Sequence, residues 1–368
     1  MKISSIVLKI IKMPLKSPFS THLEKVLERE AIIVEIRDRD GLRGYGEGVA
    51  FSSPWYTEET VKTSWHMLKD FFIPELKRHG ISTPVEAAEA FKKYRGNHMA
   101  KAAVETALWD LQAKRDHRPL SRLLGSVRES IPSGVVVAAP TTEEAVRQTE
   151  AYVRDGYKRV KIKISPDNDL KLVSELRNRF PGLDLMADAN SAYSLEDVGR
   201  LKALDEFGLL MLEQPLAHDD IIDHAKLQRQ LSTPICLDES IGSLEDARRA
   251  VELGSCRVIN IKIGRVGGLL EAMKIHDYCY ERNIPVWCGG MIEFGISRAH
   301  NIALASLPGF TIPGDISGSD RYWTQDIITP EIKVNNGEIE ISRSAGIGYD
   351  INEKRLREVT VKEETFAF

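Results

Sequence analysis

A parallel β/α barrel carried behind a smaller α+β domain is the fold class this sequence predicts, on three observations. Over residues 1–125, strand-like segments come first and helical ones second, the order of an α+β unit. From Gly134 the order becomes a strict alternation of short apolar runs and helical segments, the pattern of a parallel sheet. Finally, five successive apolar runs each end in an ionisable residue: KIKIS (161–165), MADAN (186–190), MLEQP (211–215), CLDES (236–240) and INIKIG (259–264). Lys163, Asp188, Glu213 and Asp238 follow one another at intervals of 25 residues, and Lys262 comes 24 later. A β/α unit averages about 30 residues, because about 250 residues make eight of them, and such barrels carry their chemistry at the C-terminal strand ends. The expected architecture is α/β: a modified TIM barrel, (β/α)7β, with an N-terminal α+β capping domain completed by the C-terminal tail. The expected boundaries are 1–125, 126–319 and 320–368. An open doubly wound sheet is the alternative, but it would not bring five consecutive strand ends around one point.

Taken in order, MKISSIVLKIIKMPLK alternates apolar and polar residues as a strand does. AIIVEIRD (31–38) and LRGYGEGVAF (42–51) are joined through Asp40-Gly41, a hairpin signal. PLKSPFSTHLE (14–24) and FSSPWYTEE (51–59) mix proline, serine and aromatics and read as loops. Three helices follow: TVKTSWHMLKDFFIPEL, TPVEAAEAFKKYR and NHMAKAAVETALWDLQAKRD, the last with an apolar face at Ala103, Ala107, Leu108 and Leu111. LLGSVRESIP (123–132) is the link. The barrel strands are then GVVVAA, KRVKIKIS, LDLMADAN, LLMLEQP, PICLDES, RVINIKIG, IPVWCGG and GFTIPGDIS (309–317), with seven helices between them. After Ser319 the alternation fails, and VNNGEIEIS with the rest of the tail is expected to pack back on the first domain.

Composition removes several classes of function. The apolar fraction of 42% and charged fraction of 28% are those of a globular protein. A net charge of −4 without a basic block argues against nucleic acid. No run approaches the roughly 20 apolar residues that span a bilayer. Cys236, Cys256, Cys279 and Cys288 form no C-x-x-C pair and lie in apolar runs, as reduced core cysteines of a cytoplasmic protein do. The expected partners are a small carboxylate substrate and further copies of the chain.

Side chains alternate along a strand, so the apolar Val160, Ile162 and Ile164 face the helices, while Lys161 and Lys163 point into the barrel mouth. The same rule points Asp188, Glu213, Asp238 and Lys262 inward, with Asn260 below Lys262. Three convergent carboxylates repel unless a cation neutralises them, and an all-oxygen donor set selects Mg²⁺, with Mn²⁺ as the alternative. A purely structural ion-pair network is the bland reading; burying so many charges for stability alone is unfavourable. A lysine beside another lysine and a divalent cation has its pKa lowered and serves as a base. A carboxylate substrate on the cation with flanking lysines describes proton abstraction beside a carboxylate, through an enediolate. Rival readings are a carboxylate-binding scaffold without catalysis and a metal-dependent hydrolase.

K-I-K, D-A-N, E-Q-P, D-E-S and N-I-K in this order resemble the enolase superfamily. The lysine on the sixth strand and the helix AKAAVETALWDLQAK resemble its muconate lactonizing enzyme subgroup. The resemblance implies Asp188, Glu213 and Asp238 as Mg²⁺ ligands and Lys163 and Lys262 as acid/base lysines. WCGGMIEFGISRAHN and PGDISGSDRYW look most like the subgroup's members that form o-succinylbenzoate by a syn dehydration in menaquinone synthesis and often racemise N-succinylamino acids. That likeness implies a lyase in which Lys163 takes the α-proton and helps hydroxide leave from the same face, while Lys262 stabilises the enediolate. A racemase would exchange protons between the two lysines. Muconate cycloisomerase and dipeptide epimerase are further alternatives; the last carries D-x-D where this chain has Asp315-Ile316-Ser317, with one aspartate. Lys161, Asn190, Gly290, Met291 and Phe19 are the candidate substrate contacts. Glu239 and Arg265 stand beside the ligands and would orient them. The resemblance implies that the loops holding Phe19 and Tyr56 fold over the barrel mouth, with packing between domains the favoured reading of Tyr56. Gly289 either lets backbone approach the substrate or makes a turn, and Glu293 either supports the site from behind the ligands or starts a helix.

Overall fold

The computed structural model describes residues 2–21 and 23–368. Met1 and His22, expected in the first strand and the first irregular segment, lie outside the described residues. Strands β1 (Ile3–Ser20), β2 (Lys25–Asp38) and β3 (Arg43–Gly48) form an antiparallel meander. The hairpin between β2 and β3 is held by Asp38, whose Oδ1 accepts from the amides of Asp40 and Leu42, both at 2.9 Å, and Gly41 supplies the positive φ of 88°. Ile6, Leu8, Ile32, Val34 and Ile36 line one face of the sheet and pack against Trp65, Leu68, Phe72 and Leu108 of the helices behind it. The helix His98–Arg115 lies directly on β3, where a side chain at Gly44 or Gly46 would collide with the helix at Ala107 or Ala103.

Two local expectations fail for identifiable reasons. Residues 14–20 are not a loop: β1 runs on to Ser20 and pairs with β2 as far as Phe19–Val26 and Ser20–Lys25. Pro14 and Pro18 donate no amide to the ladder, so the register slips between Pro14 and Phe19, and then the pairing resumes. The first helix is also not uniform. Its Val61–Met67 and Ile73–His79 parts flank a wider π turn, Leu68–Phe72, just before Pro74, which can make no i→i−4 bond.

A short β4 (Ser130–Pro132) leads into the barrel strands β5 (Val135–Val137), β6 (Arg159–Lys163), β7 (Asp184–Asp188), β8 (Leu212–Glu213), β9 (Ile235–Leu237), β10 (Val258–Ile261) and β11 (Val286–Cys288). These seven are parallel, in the order β11-β10-β9-β8-β7-β6-β5. The expected eighth strand, 309–317, is not a regular strand. Pro308 just before it and Pro313 within it break the ladder, and closure rests on single bridges, Val286 with Phe310 and Ser133 with Gly314. Two amide bonds add to them, Gly134 to Gly314 at 2.7 Å and Asp315 to Cys288 at 3.0 Å.

In the tail, β12 (Ile328–Thr329) pairs with β14 (Asp350–Ile351), and β13 (Glu338–Glu340) pairs with β4. VNNGEIEIS therefore docks on the link segment, not on the first domain's sheet. β15 (Thr360–Ala367) pairs antiparallel with β1 and completes that sheet in the order β15-β1-β2-β3. Two buried glutamates couple the cap to the barrel. Glu47 on β3 accepts the amides of Phe294 and Ser297, each at 2.9 Å, at the start of the helix Gly295–Ala305. Glu105 accepts those of Leu269 and Leu270, at 2.8 and 2.9 Å, at the start of Leu269–Glu281. Both thereby satisfy amides that a helix start leaves free, and burial pushes each carboxyl up to about 7.

Candidate active site

Strand alternation builds the site in layers. Met186, Met211, Cys236, Val258 and Trp287 form a buried apolar floor inside the barrel. Two residues further along four of these strands, the next inward positions are Asp188, Glu213, Asp238 and Asn260, and Lys262 follows Asn260 by two more. In register, Lys163 stands opposite Asp188 and Asp188 opposite Glu213. Glu213 stands opposite Cys236 and Cys236 opposite Val258, so Asp238 is offset by two residues and Lys262 by four. Four residues over four strand steps is half the shear of about eight that closes an eight-stranded barrel. The offset follows the tilt of the strands and keeps all five residues at one level about the barrel axis.

The charges interlock. Lys163 donates to Asp188 at 2.6 Å and to Asn190 Oδ1 at 2.7 Å, and Asn190 donates to Glu239 Oε1 at 3.0 Å. Lys161 lies between Asp315 (2.5 Å), Glu213 (3.0 Å) and Asp188 (3.2 Å), above the Trp287 ring. Lys262 donates to Asp238 at 2.7 Å, and Arg265 Nε lies 3.4 Å from the other oxygen of that carboxylate. Arg265 also donates to the Ile241 carbonyl at 2.5 Å, so it braces both the ligand candidate and its loop. Burial opposes the charged form of Lys161, but Asp315, Glu213 and Asp188 together hold it well above the ordinary lysine value. Burial, and next the Asp188 charge, pushes Glu213 up to about 8. Burial also pushes Glu239 up to about 7, helped by Asp238 and Asp188. For Asp188 the same burial is outweighed by Lys163 and Lys161, which lower it.

Above this layer opens a cavity enclosed between the barrel mouth and the cap. Its lining includes Lys161, Lys163, Lys262, Asn190, Gly290, Met291 and Phe19. Asp188, Glu213 and Asp238 lie beneath, at most 1% exposed. Glu239 and Arg265 stand behind the carboxylates. Glu293 is not merely a helix start: it lines the cavity, and its carboxylate takes the Met291 amide. The loop is strained, since Ile292, a β-branched residue, sits at a φ of 55°. Gly289 has a steric reason for being glycine, because a side chain there would overlap Asn260 and the Lys262 chain.

Packing between domains is the favoured sequence reading of Tyr56, and the structure corrects it in favour of the alternative, a place over the barrel mouth. Its hydroxyl donates to Asp238 Oδ2 at 3.0 Å and accepts from Lys262 Nζ at 2.7 Å, with the lysine 4.6 Å from the ring centroid. Phe51 and Trp55 hold the ring in an aromatic cluster. Arg159 and Gln214 also escaped the sequence reading as site residues, and Asp315 entered it only as the lone aspartate of 315–317. Arg159 and Asp315 form a buried pair at 2.7 Å beneath Lys161, and Arg159 was legible, as it shares the inward face with Lys161 and Lys163. Gln214 fixes the end of β9 by accepting the Asp238 amide at 3.0 Å and donating to Ser240 at 2.7 Å. Arg321 and Tyr322 line the cavity from beyond the expected barrel boundary.

Asp188, Glu213 and Asp238 are the oxygen donors available to a cation. As arranged, ammonium groups engage them, and among the described residues no three histidine, cysteine or acidic side chains already form a cage about one point. The donor chemistry nevertheless fits a hard divalent cation. Asp238 Oδ1 and Glu239 Oε2 are buried without a hydrogen-bond donor, and burial with the Asp188 charge disfavours the charged form of Glu213. The four cysteines are free and buried, and among the described residues no helix is long and apolar enough to cross a membrane.

Comparison with known proteins agrees with this architecture. Residues 5–125 match the mandelate racemase / muconate lactonizing enzyme N-terminal domain, and residues 144–355 match the enolase C-terminal domain-like family. The chain is 53% identical to an o-succinylbenzoate synthase of Bacillus subtilis, covering 99% of this chain and 98% of the relative. It is 43% identical to an N-succinylamino acid racemase of Thermus thermophilus, covering 98% of each. A solved enolase superfamily member from Listeria innocua superposes with a TM-score of 0.97 at 44% identity, covering 100% of this chain and 99% of that one. The chain belongs to the mandelate racemase / muconate lactonizing enzyme family of the enolase superfamily, a family of metal-dependent enzymes.

Proposed function

We propose that this protein is an o-succinylbenzoate synthase, catalysing the syn dehydration of 2-succinyl-6-hydroxy-2,4-cyclohexadiene-1-carboxylate. The observation that carries the reading is the sheet order: β6 and β10, bearing Lys163 and Lys262, flank the three strands bearing Asp188, Glu213 and Asp238. The identity to named synthases over almost the whole chain supports it. Mg²⁺, with Mn²⁺ as the alternative, would be held by Asp188, Glu213 and Asp238 and would supply Lewis-acid stabilisation of charge building on the substrate carboxylate. Lys163 takes the proton from the carbon beside that carboxylate and returns it to the hydroxide leaving from the same face. Lys262, anchored by Tyr56, offers a fixed positive charge on the other side. Lys161 keeps its proton and holds the carboxylates in place. Asn190 orients Lys163 and ties it to Glu239, and Arg265 does the same for Asp238. Gly290, Met291 and Phe19 shape the cavity around the substrate. Division of the chain at 1–125, 126–319 and 320–368, a cytoplasmic location and assembly into a homo-oligomer belong to the same reading.

The placement of one lysine on each side of the carboxylates favours a second reaction at the same site, racemisation of N-succinylamino acids, which needs a proton exchanged between faces. The test is aromatisation of the cyclohexadiene carboxylate by the purified protein with Mg²⁺, followed by ultraviolet absorbance. Rapid aromatisation, lost on chelation and in Lys163→Ala, is the expected result. Failure of the wild-type protein to aromatise the compound overturns the synthase reading.

A further inference from the structure

The cavity contains one arginine whose charge has no protein counterpart. Three buried arginines around the barrel are each neutralised: Arg159 by Asp315 at 2.7 Å, Arg265 by Asp238 at 3.4 Å and Arg298 by Asp326 at 3.6 Å. Arg321 differs. Among the described residues it has no carboxylate partner, and its one hydrogen bond is a long contact of 3.4 Å to the Val136 carbonyl. Its guanidinium stands over the rings of Tyr152 and Tyr322, 5.6 and 5.4 Å from their centroids. These contacts hold the plane in place and leave most of its five N–H donors unspent.

Its position is also informative. Val136 on β5 stands in register with Lys161 on β6, so the guanidinium borders the cavity on the β5 side, beside the strand that carries Lys161 and Lys163. The segment holding it is pinned to the β1–β2 arm. The Lys16 amide donates to the Tyr322 carbonyl at 2.9 Å, and Lys16 Nζ to the Asp320 carbonyl at 2.7 Å. Phe19 from that arm lines the same cavity. The cavity thus has two cationic poles: the lysine cluster over the buried carboxylates, and a lone, pre-oriented guanidinium at the wall shared by the arm and the tail.

We infer that Arg321 is a specificity-determining residue that takes a second, distal carboxylate of the substrate, so that the site selects dicarboxylates over monocarboxylates. The planar fork matches a carboxylate bidentately, which an ammonium cannot do. A site built to pair a charged group rejects an analogue that lacks it. This inference rests on the proposed function in that the succinyl group supplies the second carboxylate.

The test compares wild type, Arg321→Met and Arg321→Lys with two probes, N-succinylphenylalanine and N-acetylphenylalanine, following α-proton exchange in D₂O with Mg²⁺. The expected result is a loss on the order of 10- to 100-fold in kcat/KM for the succinyl compound in Arg321→Met, carried mainly by KM, with less than about threefold change for the acetyl compound. Arg321→Lys should recover part of the loss. Equal losses on both probes, or no loss on the succinyl probe, overturn the inference. Calorimetric binding of o-succinylbenzoate and of benzoate separates it from the proposed reaction. Preference for the dicarboxylate that disappears in Arg321→Met upholds the inference even if neither amino acid derivative turns over, and absence of preference in the wild type overturns it.

Discussion

Lys163 and Lys262 are chemically the same residue in unequal surroundings. Lys163 is held by Asp188 and Asn190, both from the neighbouring β7 end, and its side chain is 18% exposed. Lys262 is held by Asp238 on the neighbouring strand and by Tyr56 from the cap, and its side chain is 8% exposed. One side of the site is made by the repeating unit of the barrel, while the other is finished by a loop some 200 residues away in sequence. The more open lysine suits proton traffic with a substrate and a leaving group. The enclosed one suits a steady charge.

The largest expected effects come from removing either lysine. Lys163→Ala should reduce the dehydration by about 10²- to 10⁴-fold, the usual worth of a general acid–base group. Lys262→Ala should slow it less and should remove racemisation as fully as Lys163→Ala does. Equal losses in both reactions for both variants would erase the functional distinction between the two sides. Next come the carboxylates. Mutation of a residue that merely orients a metal ligand costs about 10- to 100-fold in affinity, so Asp188→Asn, Glu213→Gln and Asp238→Asn should each weaken Mg²⁺ binding by more than about 100-fold, measured by calorimetry. Chelation should abolish turnover and Mg²⁺ restore it.

Tyr56→Phe sharpens the comparison directly. It removes one hydrogen bond to Lys262 and one to Asp238, and should cost about tenfold in kcat/KM, falling harder on racemisation than on dehydration. Asn190→Ala, its counterpart on the Lys163 side, should show the opposite preference. The smallest effect concerns how the cap is fastened. Glu47 and Glu105 titrate at about 7 in the folded chain against an ordinary value of 4.5. The folded state therefore binds more protons between those values, and stability falls as pH rises from about 4.5 to 7. Urea titrations across that window should show a shallower decline in the Glu47→Gln, Glu105→Gln double variant than in the wild type.

The charged ring was readable from sequence because two periodicities coincide: the near-constant unit length sets which strand end a residue occupies, and strand alternation sets which way it points. Arg159 obeys the same alternation and was readable in principle. Tyr56 was not, because the loop 51–59 has no period and its path over the mouth depends on the packing of Phe51 and Trp55. The β1–β2 arm was misread because prolines that usually mark loops here interrupt a ladder that afterwards resumes. The last barrel segment was misread for the converse reason, since its apolar residues promise a strand that its prolines prevent. The side of the site built by repetition was thus legible, and the side built by tertiary contact was not.

The measurement that bears most directly on the central claim is solvent deuterium incorporation. The protein, loaded with Mg²⁺, is incubated with an N-succinylamino acid in D₂O, and the α-position is followed by proton NMR. The account predicts loss of the α-proton signal in the wild type, with no loss in the Lys163→Ala, Lys262→Ala double variant or the chelated protein. Retention of the α-proton by the wild type, with this and every other carboxylate offered, would contradict it.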